Sequence, residues 1–101
     1  MEEMKQFGID LELDENTAQG KYSNLAIISH STSEFIIDFA AVLPGVPKAK
    51  VKSRIILTPE HAKRLLLSLQ DNVMRYENNI GKIEISQNPQ RGGSFNKIGE
   101  A

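Results

Sequence analysis

Apolar and polar residues alternate at the start of the chain, where Phe7, Ile9, Leu11 and Leu13 are interleaved with Gly8, Asp10, Glu12 and Asp14. Period-two patterning of this kind predicts a strand with one buried and one acidic face. Glu15 to Gly20 then reads as a connection. The next run, Leu25-Ala26-Ile27-Ile28, is apolar at consecutive positions, as expected for a strand covered on both faces. A third strand is predicted over Phe35–Leu43. Phe35, Ile37, Phe39, Ala41 and Leu43 share one of its faces, and Ile36, Asp38, Ala40 and Val42 share the other. Pro44-Gly45 marks a turn, because proline presets its own φ and glycine tolerates positive φ. In the fourth strand, from about Lys50, Val51, Ser53, Ile55 and Leu57 face one way, and Lys50, Lys52, Arg54 and Ile56 the other.

Thr58-Pro59-Glu60 is the clearest boundary. Threonine can accept from free helical amides, proline suits the first helical position, and glutamate complements the positive helix end. The helix is expected to run to Gly81, a length of roughly 33 Å at 1.5 Å per residue. Ala62, Leu66, Leu69, Val73, Tyr76 and Ile80 are spaced four, three, four, three, four, which is a heptad-like seam that Leu65 widens. Leu67 and Met74 form a second stripe. One sheet face buries one stripe, so the second is expected to meet another subunit. Leu67, Met74, Val73 and Tyr76 are the candidate oligomer interface.

The expected fold is therefore α+β: a four-stranded antiparallel sheet followed by one long helix (β-β-β-β-α), as a homodimer or higher oligomer. Residues 1–81 form a single domain in this reading. Residues 82–101 add a short strand-like segment at Ile83 and Ile85 and a mobile polar tail. Were the first and fourth strands neighbours, Asp10 and Glu12 would meet Lys50, Lys52 or Arg54 across the sheet.

Bulk properties narrow the function. The chain has 101 residues, 40% of them hydrophobic and 25% charged, with a formal net charge of −1. Such a balance argues against a general basic field for nucleic acid or anionic lipid. With no cysteine, disulfides, thiol catalysis and cysteine metal sites are excluded. The acidic N-terminal segment does not read as a secretory signal, and no apolar run approaches the ~20 residues of a membrane span. A cytoplasmic protein with no membrane partner is the expectation.

Gly20-Lys21-Tyr22-Ser23-Asn24, Ser29-His30-Ser31 with Glu34-Phe35 and Asp38-Phe39, Leu43-Pro44-Gly45, Ser53-Arg54-Ile55 and Thr58 to Leu65 (TPEHAKRL) follow in order. This series resembles a small bacterial family of unknown function, over about Ile9 to Glu77. The resemblance implies a stand-alone bacterial domain and no activity. The order of elements is similar to that of the bacterial secretion chaperone SecB, an analogy of order alone.

Several residues invite a chemical reading. The stretch from Ser29 to Asp38 (SHSTSEFIID) holds the ingredients of a nucleophile–base–acid triad. Yet adjacent strand residues point to opposite faces, so Ser29 and Ser31 point away from His30. Pairing Ile27 with Phe39 makes Thr32, Ser33 and Glu34 the loop. Ile28 is then opposite Asp38, and His30 and Asp38 share a face without a hydroxyl between them. A hairpin whose hydroxyls satisfy turn amides fits better. Asp38 is a carboxylate in an apolar strand and needs a partner, with Arg54, Lys52 and His30 as candidates. His30 and His61 lack metal-ligand spacing, and no metal or cofactor is expected. Lys48, Lys50, Lys52, Arg54, Lys63 and Arg64 concentrate positive charge in mid-chain, with no aromatic between them. Tyr22-Ser23-Asn24 reads either as a ligand rim or as the shaping of a strand's first residues.

These readings favour a non-enzymatic oligomeric module that binds itself and a further protein or peptide, with the first strand as an edge open to strand addition. The alternative is a nucleic-acid-associated protein. Lys50, Lys52, Arg54, Lys63, Arg64, Asp38 and His30 are the candidate binding residues.

Overall fold

A computed structural model describes the backbone of residues 2–6 and residues 8–86 in full. The order is β1 (Glu2–Gln6), β2 (Ile9–Leu13), α1 (Glu15–Ala18), β3 (Leu25–His30), β4 (Phe35–Ala41), β5 (Lys50–Leu57) and α2 (Pro59–Asn79). The α+β class and the closing helix agree with the sequence, but the four-stranded sheet does not form. β3, β4 and β5 make a three-stranded antiparallel sheet in that order, while β1 and β2 pair separately. β2 is the alternating acidic strand, and it finds its neighbour next to it in the chain. Gln6 and Ile9 are opposite one another, and Asp10 is opposite Lys5, not Lys50 or Lys52. Gly8 makes this tight link with φ +76°, a conformation costly for residues with a Cβ. Phe7 lies outside the described residues.

The connection after β2 holds a single helical turn. Asp14 caps α1, its Oδ1 accepting from Thr17 N at 2.7 Å. That bond holds the Asp14 carboxyl below its usual pKa. Between β4 and β5 the chain reverses through Pro44-Gly45 as expected, with Val46 N donating to Leu43 O at 3.2 Å and Gly45 at φ +78°.

In the main sheet, β3 pairs with β4 through Leu25–Ala40, Ile27–Asp38 and His30–Phe35. This is one residue away from the register expected from apolar matching. β5 pairs with β4 through Leu57–Phe35, Ile55–Ile37, Arg54–Asp38 and Ser53–Phe39, and then shifts so that Val51 is opposite Ala40. Lys52 is left without an opposite residue, as in a β-bulge. Val51 consequently shares a face with Arg54 and Ile56, and Lys50 shares one with Ser53, reversing the alternation expected at the start of this strand.

Helix α2 begins as predicted. Thr58 is its cap, accepting from His61 N at 3.3 Å, with Pro59 in the first turn. The helix ends at Asn79, and Ile80 N donates to Tyr76 O at 2.8 Å. Ile83 and Ile85 do not form the expected strand. Instead, Ile83 N donates to Glu77 Oε2 at 3.0 Å, which ties the segment back to the helix. The polar tail lies beyond the described residues.

The core is small. Among the described residues only Ile37, Ala40 and Ala41 are buried, all in the central strand β4. α2 makes its main contact with β5 but contains no buried residue. The sheet was expected to bury one stripe of the helix, and it buries neither. Leu66 and Leu69 on the seam are 59% and 58% exposed, and Leu67 and Met74 on the second stripe are each 55% exposed.

Candidate functional site

In the Ser29–Asp38 stretch, Ser31 is occupied in building the hairpin turn. Ser31 Oγ accepts from Ser33 N at 3.2 Å and from Glu34 N at 3.3 Å, and Ser31 N donates to Glu34 O at 2.9 Å. Hydroxyls that satisfy turn amides are the expected hairpin chemistry. The His30 ring stacks on Phe35, with centroids 5.3 Å apart and planes at 25°. The observed register corrects one expectation. His30 shares a face with Phe35, Ile28 and Ile37, whereas Asp38 lies on the opposite face between Ile27 and Arg54. The structure therefore separates His30 from Asp38.

Asp38 has its partner in Arg54. The two form a two-pronged ion pair, Nε to Oδ1 at 2.7 Å and Nη2 to Oδ2 at 2.9 Å. Direct cross-strand opposition brings them together, and the planar guanidinium matches both carboxylate oxygens. The Asp38 side chain is only 16% exposed, against 61% for Arg54. The Arg54 hydrogen bonds hold the Asp38 carboxyl below its usual pKa, and the same bonds raise that of Arg54. This pairing removes Arg54 from the set of uncommitted cations. Arg64 is engaged too, with Nη2 2.9 Å from Glu60 Oε2 one turn away.

Lys21, Lys50 and Lys52 gather in a way that chain order does not suggest. Lys21 comes from the segment before β3, and its Nζ donates to Lys52 O at 3.3 Å. Gly20, Lys21, Tyr22, Lys50 and Lys52 line one open depression with Ala41, Leu43 and Val51 as its apolar part. Tyr22 is 69% exposed, so an aromatic ring stands among the basic residues after all. Lys63 and Arg64, on α2, are not among the lining residues. Lys21 escaped the sequence reading because its neighbours in the depression lie about thirty residues further on. The isolated lysine beside an exposed tyrosine was the only signal.

Ser23 and Asn24 resolve as structural residues. The Asn24 side chain brackets the backbone of Val42: Oδ1 accepts from Val42 N at 2.7 Å, and Nδ2 donates to Val42 O at 2.9 Å. Ser23 Oγ lies 2.9 Å from Ala40 O and 3.0 Å from Leu25 O. Together they continue the β3–β4 pairing past the last ladder residue, with side chains in the place of backbone.

The two edges of the main sheet differ. β5 is interrupted by the bulge at Lys52 and carries Lys50 and Lys52, devices that discourage pairing with another chain. β3 (LAIISH) carries no lysine, arginine, proline or bulge. The edge open to strand addition was expected at the first strand, Phe7 to Asp14. β2 (Ile9–Leu13) is instead paired along one side with β1.

Among the described residues no three histidine, aspartate or glutamate side chains group as metal ligands, and no helix is long and apolar enough to cross a membrane. No curated protein and no solved structure matches the chain. A family model described as "Protein of unknown function (DUF3467)" matches residues 1–85, and the chain belongs to that family.

Proposed function

We propose that the protein is a non-enzymatic, self-associating interaction module that receives an extended protein segment along the outer edge of β3. The unguarded β3 edge, set against the bulged and lysine-bearing β5 edge, is the observation that carries this reading. An added strand gains main-chain hydrogen bonds along Leu25–His30, and alternate side chains set its specificity. Self-association is supported by α2, whose apolar stripes are uncovered in the single chain. Full burial of a large apolar side chain is worth about 1.5–3 kcal/mol. Five large seam residues, about half-exposed, therefore leave roughly 4–8 kcal/mol unrealised, comparable to the whole stability of many domains. The non-enzymatic part is supported by the structural roles of Ser31, His30 and Asp38.

Labelled decapeptides of alternating apolar and polar residues test the edge. Fluorescence anisotropy reports binding and amide chemical shifts locate it. Shifts along Leu25–His30, with binding at least tenfold weaker in Ile28→Lys, are expected. Shifts confined to Lys50–Leu57, or no binding by any such peptide, overturn the reading.

A second reading is favoured by the depression around Tyr22. Lysines that track a phosphate backbone beside a ring that stacks on a base are the elements of single-strand recognition. Its marks are affinity for a labelled oligonucleotide that falls steeply with salt and is lost in Lys21→Glu/Lys52→Glu. An affinity insensitive to salt and to those substitutions sinks it.

A further inference from the structure

The α2 seam is a palindrome. Its spacing of four, three, four, three, four reads the same from either end, with its centre at the level of Asp71. Two copies of α2 running antiparallel about a two-fold axis at that level set Ala62 opposite Ile80, Leu66 opposite Tyr76 and Leu69 opposite Val73. In the outer layers the smallest seam residue meets a large one, as close packing requires. All five large seam residues are at least 36% exposed in the single chain.

Charge follows the same symmetry. Lys63 and Glu77 flank the seam on the same side, centred on Gln70, one residue from the centre of the seam. In the antiparallel pair each Lys63 comes within about 3 Å, measured along the axis, of the level of the other copy's Glu77, twice over by symmetry, with the two Gln70 side chains beside the two-fold. The other ion pairs of the helix are closed within it: Arg64 to Glu60 at 2.9 Å and Arg75 to Asp71 at 2.8 Å. They occupy the outer face and lie away from the seam. Glu77 is half-buried and uses Oε2 for Ile83 N, which fixes its position and leaves Oε1 for a partner. In a parallel pair Lys63 of one copy and Glu77 of the other would be roughly 21 Å apart along the axis and could not meet.

We infer that a second copy of this chain covers α2, the two helices packing antiparallel through Ala62, Leu66, Leu69, Val73, Tyr76 and Ile80 and locked in direction by reciprocal Lys63–Glu77 pairs. Leu67 and Met74 lie outside this seam and remain uncovered. The inference rests on the self-association proposed above and adds its geometry.

The cysteine-free sequence makes the test direct. Native mass spectrometry counts subunits, and single cysteines with a short bismaleimide read direction. Gln70→Cys lies beside the axis and is expected to cross-link to its copy. Lys63→Cys lies roughly 24 Å along the axis from its copy at 1.5 Å per residue and is expected not to. Lys63→Glu alone is expected to weaken the dimer roughly two- to thirtyfold, as for two lost surface pairs, and Lys63→Glu/Glu77→Lys to restore it. A dimer in which Lys63→Cys links to itself, or in which neither cysteine links, overturns the antiparallel seam and leaves self-association standing. Failure of the charge swap to restore the dimer overturns the Lys63–Glu77 lock. A monomer at every concentration overturns both.

Discussion

β4 and α2 both present apolar faces, and they meet opposite fates. β4 holds all three buried residues among those described, and α2 holds none. β4 is the more apolar of the two, and backbone chemistry widens the difference. A strand leaves its amides and carbonyls unmet until neighbours arrive on both sides, so forming the sheet brings β3 and β5 alongside β4 whatever its side chains do. A helix satisfies its own backbone, so nothing draws α2 onto the sheet except side-chain packing. Apolar side chains thus become a core in one element and an uncovered surface in the other.

The largest expected effect tests this contrast directly. Ile37→Ala removes a side chain 8% exposed at the centre of the sheet. It should cost about 2–4 kcal/mol in urea unfolding, independently of protein concentration. Leu66→Ala, at 59% exposure, should cost under ~1 kcal/mol in dilute protein, and more as concentration rises and copies associate. Equal losses at the two sites would mean that α2 packs on its own sheet after all.

Next in size is the bracket at Val42. Asn24→Ala removes two hydrogen bonds to one residue's backbone, worth about 0.5–1.5 kcal/mol each. The expected result is a loss of about 1–3 kcal/mol together with faster amide exchange at Val42. A ligand-rim role for Asn24 would leave both unchanged.

How far the sequence speaks follows from the same distinction. The helix was legible nearly to the residue, because Thr58, Pro59 and the seam are local signals. So were the Pro44-Gly45 turn and the hairpin hydroxyls. Register was not. Matching Ile27 to Phe39 maximises apolar contact, but the observed pairing sets Asp38 opposite Arg54, and in this register the half-buried carboxylate gains a charged partner from across the sheet. The bulge at Lys52 is invisible to strict alternation, so the face of Val51 was misread. The β1–β2 hairpin went unread because its first strand is largely polar. The Tyr22–Lys21–Lys52 cluster is a product of topology, since its members meet only once β4 has paired with β5.

A smaller effect is expected where α2 starts. Thr58→Ala removes the oxygen that accepts from His61 N, at a cost of about 1 kcal/mol. Thr58→Asp, a competent cap, should restore thermal stability. If Thr58→Ala proves silent, the first turn of α2 is being held by something other than its cap, and the independence of the helix from the sheet is in question.

The smallest effect concerns the pair that chose the register. The Asp38 carboxyl titrates below the ordinary aspartate value, chiefly through its hydrogen bonds from Arg54. A carboxyl whose folded pKa is depressed contributes stability that is complete above its unfolded pKa and is lost as pH falls through the folded value. Wild type and Asp38→Asn should therefore differ by a constant amount from neutral pH down to about pH 5, and converge below about pH 4, the ordinary carboxylate range. Because the pair is open to solvent on the Arg54 side, added salt should narrow the gap at neutral pH. Unfolding midpoints measured across that range, with and without salt, make the check. Parallel profiles with no convergence in acid would show that Asp38 holds its place by shape and hydrogen bonding rather than by charge, and would remove the ion pair as the reason the sheet sits in this register.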